Sequence, residues 1–108
     1  MSTRSNGDGP RTPDLTPFPG GDLVTKGLID LAAGHQTEES LLVMIAADNL
    51  RRLDLPVGDV PTPEASYELS LYDLINARNP DGAHAEYNAL IARLVSFEQT
   101  YGRAVRRR

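Results

Sequence analysis

Residues 37–53, TEESLLVMIAADNLRRL, decide how this chain folds. Leu41, Leu42, Val43, Met44, Ile45, Ala46 and Ala47 follow one another without a polar residue, the longest apolar run in the sequence. Successive residues of a helix point about 100° apart, so the run is apolar on every side and has to be buried on most of its circumference. Thr37 is a natural N-cap, Glu38 and Glu39 fill the first turn, and Arg51 and Arg52 suit the negative C-terminal end. The stretch reads as one central helix, 38–53, with the rest of the chain as its coat.

On its N-terminal side, residues 22–33 read as a helix opened by Asp22, with Val24, Leu28 and Leu31 as the apolar stripe. Gly27 inside it costs about 1 kcal/mol relative to alanine, which predicts close approach by a neighbouring helix. Gly34 supplies a left-handed C-cap and His35-Gln36 a tight turn, so the first two helices fold into an αα-hairpin. Residues 1–20, MSTRSNGDGPRTPDLTPFPG, hold too little apolar surface to offset the entropy of ordering and are expected to be a disordered arm. Leu15 and Phe18 are its exceptions. Pro17 and Pro19 keep Phe18 in extended backbone, and the favoured reading folds its ring back onto the domain.

On the C-terminal side, residues 54–62, DLPVGDVPT, read as an extended strap anchored by Leu55, Val57 and Val60, whose prolines deny it a place in a sheet. Thr62-Pro63-Glu64 opens a helix over 63–78, with Tyr67, Leu71, Leu74 and Ile75 on one face. Asn79-Pro80 ends it and begins the last helix, 80–104. There Ala83, Tyr87, Leu90, Leu94, Phe97 and Tyr101 make a heptad-like seam, widened by Ile91 and Val95. The prediction is an all-α fold: a small four-helix domain over 21–108 behind a disordered arm.

Composition narrows the class. The chain has 108 residues, 24% charged and 40% hydrophobic, which suits one small globular domain. It has no cysteine, so neither disulfides nor thiolate chemistry is available, and a cytoplasmic location is expected. The early prolines leave no signal-peptide core, and no run approaches the ~20 apolar residues that span a bilayer, so membrane insertion is not expected. The net charge of −4 conceals an asymmetry: residues 21–102 carry thirteen carboxylates against five cations, while residues 103–108, RAVRRR, are purely basic. A duplex reader wants a basic face, so nucleic acid is a disfavoured partner. A helix–turn–helix reading fails for the same reason, because the second helix is the most buried and begins with two glutamates.

Catalysis has no foothold. His35 and His84 read as ordinary surface residues, with no paired metal-ligand spacing. There is no GxSxG, P-loop or dinucleotide fingerprint, and Glu38 and Glu39 diverge by about 100° on a helix. No catalytic, metal-ligating or cofactor-binding residue is assigned, and the chain is read as a non-enzyme.

The last helix, if it reaches Val105, is about 38 Å long against roughly 18–25 Å for the others, and the overhang carries Phe97, Tyr101 and Val105. Such a stripe needs a cover: the N-terminal arm through Phe18, a second copy, or another protein. Self-association ranks first because heptad seams pair readily with themselves. If instead Gly102 ends the helix, the overhang is short. The leading function is a non-catalytic protein–protein interaction or scaffold module, as a homodimer or with a protein partner, acting through Phe97, Tyr101 and Val105. The alternative is a small nucleic-acid-associated regulator using Arg103, Arg106, Arg107 and Arg108. A third reading places a ligand pocket among Tyr67, Tyr72 and Tyr87. On the stripe reading, Tyr101→Glu leaves the fold intact and changes association.

Overall fold

The computed structural model describes residues 13–61 and 66–106. Its helices are α1 (Gly21–Ala32), α2 (Glu38–Ile45), α3 (Ala47–Arg52), α4 (Tyr67–Arg78) and α5 (Ala83–Arg106), with no strand among the described residues.

The start of α2 is set by a reciprocal cap. Thr37 Oγ1 accepts the Ser40 amide at 3.1 Å, and Ser40 Oγ accepts the Thr37 amide at 2.8 Å. Ser40 is fully buried, and its hydroxyl also donates to the Thr37 carbonyl, so burial leaves no polar group orphaned. Leu41, Leu42, Val43 and Met44 follow, all buried, with α1 and α4 against them and α5 touching more lightly. The central position expected of this stretch belongs to α2.

The single helix expected over 38–53 is corrected to two. Ala46 has ψ of 10°, against about −42° in a regular helix, and the helix is interrupted there. Hydrogen bonding continues past it, from the Ala46 amide to Leu42 and from Leu50 to Ala46. A run apolar on every side has no single stripe to hold it regular. Beyond the interruption α3 buries Ala47 and Leu50 while Asp48 and Asn49 face solvent, and Asn49 Nδ2 donates to Glu98 of α5 at 2.8 Å. Asp48 is a surface residue, paired with Arg51 at 3.6 Å.

The hairpin of α1 and α2 forms as the glycines require. A Cβ on Gly27 would lie 2.3 Å from the Glu39 carbonyl oxygen and 2.5 Å from Val43 Cγ2, so the two helices meet at hydrogen. Gly34, at φ 79°, closes α1: its amide bonds to Leu31 and the His35 amide to Asp30, the paired bonds of a Schellman turn.

The arm is shorter than expected. Residues 13–20 are part of the fold, because Leu15 is buried in the core and Phe18 packs against it. Residues 1–12, for which disorder was expected, lie outside the described residues. The strap over 55–61 forms neither helix nor strand, with the Val57 amide donating to the Leu55 carbonyl at 2.8 Å, Leu55 buried, and Val57 and Val60 half-buried against the core. It leaves α3 through Asp54 at φ 62° and is tied back by Arg51 donating to the Gly58 carbonyl at 2.8 Å.

Two helix starts also move. Ser66 is extended and its Oγ accepts the Leu69 amide at 3.0 Å, so α4 begins at Tyr67 rather than 63. The start signal Thr62-Pro63-Glu64 lies outside the described residues. Asn79 Oδ1 accepts the Gly82 amide at 3.2 Å, so residues 80–82 form a turn and α5 begins at Ala83 rather than 80. At its other end α5 passes through Gly102 to Arg106, a helix of 24 residues, or about 36 Å. No helix among the described residues is long and apolar enough to cross a membrane.

One arginine ties three helix ends together. Arg78, in the last turn of α4, donates to Glu38 of α2 at 2.7 and 2.9 Å and to Glu86 of α5 at 3.1 Å. Each charge sits at the helix end its sign favours. The Arg78 guanidinium, with help from the Asn79 carboxamide, holds the Glu86 carboxyl below the usual carboxylate range. Asp30 is lowered likewise, by Lys26 and then by the Thr37 hydroxyl. A carboxyl depressed by folding contributes stability that is present above its unfolded pKa, near 4, and is lost as pH falls through the lower folded value. The melting temperature should therefore fall on acidification below about pH 4, and Arg78→Met should flatten that slope. A melting profile unchanged in slope by Arg78→Met would show the clasp to be inert.

Candidate partner-binding groove

The heptad seam of α5 brings Phe97 and Tyr101 one turn apart, and their rings stack at 5.3 Å with 10° between planes. Phe18 stands edge-on to both, 6.3 Å from Phe97 and 5.0 Å from Tyr101. Phe97 is 0% exposed and Tyr101 5%. This corrects the expectation of an open Phe97–Tyr101 stripe. Of the three covers considered, it is the chain's own N-terminal segment that lies there. Tyr101→Glu would then place a charge in the core and is a folding lesion rather than a probe of association.

Val105, the third residue expected on the stripe, is half-buried and lies elsewhere: it lines a groove between α3 and the C-terminal half of α5. Asn49 and Arg52 of α3, with Leu53 after them, form one wall of this groove. Leu53, Val95 and Val105 supply apolar surface, and Arg52 and Arg106 flank it, in an open space of about 570 Å³. Val95 is 42% exposed, one of only a few large apolar side chains so placed among the described residues. A relay crosses the groove: Arg52 donates to Asn49 Oδ1 at 3.1 Å, and Asn49 Nδ2 donates to Glu98.

Gly102 lies in this groove, just before the last turn of α5, and nothing inside the fold demands a glycine there. An added Cβ would meet Leu53 Cδ2 at 3.7 Å and an Arg106 nitrogen at 3.8 Å, both ordinary contacts. Gly102→Ala should therefore stabilise the isolated chain by up to about 1 kcal/mol. A lower urea midpoint for that variant would mean that the helix is strained at this point.

The other sequence candidates do not converge. Tyr72 and Tyr87 pack edge to face, 5.8 Å apart, between α4 and α5. Tyr67 instead donates to the Pro61 carbonyl and lines a separate cleft with Ile45 and Val60. His35 and His84 are exposed, and no cluster of metal-ligand type occurs among the described residues. Arg103 and Arg106 reach solvent from the last turns of α5, while Arg107 and Arg108 lie outside the described residues. Periodicity placed Val95 beside the seam. It gave no sign of Asn49, Arg52 and Leu53, which α3 and its C-cap bring to the groove.

No family model matches the chain, and no curated protein or solved structure matches it either.

Proposed function

We propose that the chain is a non-catalytic protein–protein interaction module whose partner sits in the groove between α3 and α5. The observation that carries this reading is the half-exposed Val95 beside Leu53 and Val105, in a concave surface flanked by arginines. A single exposed valine is ordinary, but apolar residues gathered in a groove with a polar rim have the make-up of a docking surface. Arginine at the rim suits such a surface, since its planar donors pair with carboxylates across an interface.

Val95→Asp tests the reading, since the side chain projects from the fold and its loss should leave helix content unchanged. The wild-type chain, used as bait in extracts of its own cells, is expected to retain a protein that the Val95→Asp chain releases. Identical captures by the two chains would remove the groove from the account.

A further inference from the structure

We infer that the groove is occupied by a second copy of this chain, which docks the outward face of α4 into it; this rests on the interaction reading above. The groove is lined by Arg52 and Arg106 against one carboxylate, Glu98, which accepts from Asn49, so its lining carries a net positive charge. An occupant of opposite sign with exposed aliphatic side chains would complete it. The chain carries such a surface itself. Leu71 and Ile75 turn α4 toward the core, yet Leu69 remains 50% exposed and Leu74 36%. At about 100° per residue, Asp73 falls on the arc between Leu69 and Leu74, so that arc presents two leucines about a carboxylate. Glu68 lies off this arc and lines the separate cleft with Ile45 and Val60.

Charge pairing separates this face from its competitor. Among the described residues, Arg52, Arg103, Arg106, Glu68 and Asp73 form no ion pair. Another strongly exposed aliphatic, Ile29 on α1, shares a cleft with Asp22, paired with Arg93, and with Asp14, whose carboxylate accepts from the Thr16 amide and hydroxyl. The α4 face joins two exposed leucines to Asp73, a carboxylate that forms no ion pair among the described residues. Two complementary surfaces on one chain can pair twice across a two-fold axis and close as a dimer, or pair once and propagate.

Sedimentation equilibrium of the purified full chain, from low micromolar to near-millimolar concentration and in low and high salt, reads this directly. The mass should rise from one chain with concentration, and less so in high salt, where charge pairs at a rim are screened. Asp73→Arg and Arg106→Asp should each weaken association about tenfold, and the two together should restore part of it. Val95→Asp should weaken it also. A mass of one chain at every concentration overturns the inference, as does association indifferent to all three substitutions. A one-chain mass with Val95-dependent capture of a different protein would leave the interaction reading standing and sink only this one; without that capture, both fall.

Discussion

Gly27→Ala is expected to lower the stability of the fold by about 3 kcal/mol, at the upper end of what overpacking a core costs. The added methyl would sit 2.3 Å from a backbone carbonyl oxygen of Glu39, which cannot rotate away, and 2.5 Å from Val43 Cγ2. Relief requires α1 to withdraw from α2. That opens the interface in which Leu23, Val24 and Leu28 meet the central helix, the most extensive contact between elements in the molecule. Small domains have about 5–15 kcal/mol in all, so the urea midpoint should drop by a large fraction. An unchanged midpoint would mean that α1 and α2 are farther apart than described.

Phe97→Ala should cost about 3–5 kcal/mol, the range for deleting a buried aromatic ring. The Phe97 ring is fully buried, stacked on Tyr101 and met edge-on by Phe18. Its removal leaves a cavity and also unseats the segment that carries Leu15 and Phe18. Phe18→Ala, at a half-buried position, should cost less. The two losses should not add, because the rings touch and aromatic pairs couple by about 0.5–1.5 kcal/mol. A loss below about 1 kcal/mol for Phe97→Ala in urea unfolding would place the ring outside the core.

What could be read in advance divides along physical lines. The apolar run announced a helix buried on most of its circumference, and α2 is that helix, with Ile45 half-buried. Gly27 announced a close approach, because only a contact explains a glycine inside a good helical pattern. Gly34 and His35 announced the turn for the same local reason. Features settled by tertiary choice were not legible. The interruption falls at Ala46, an alanine, the residue that most favours helix, so no local signal marks it. Thr62 and Ser66 are both good caps, and the described start of α4 follows Ser66. The heptad spacing of α5 identified which face is apolar but said nothing of what covers it. Phe18 takes that face, and the open surface shifts to Val95 on its flank, against residues that α3 and its C-cap bring to the groove.

The docking of Phe18 is central, since it closes the aromatic stripe and leaves the α3–α5 groove as the surface proposed for a partner. Proton–proton cross-relaxation in a NOESY spectrum of the full chain tests it most directly. Ring centroids 5.0 Å apart predict cross-peaks from the Phe18 ring to the Tyr101 ring, with others to Phe97. A Phe18 ring that shows contacts only to its sequence neighbours would contradict the account and return Phe97 and Tyr101 to the solvent-facing surface.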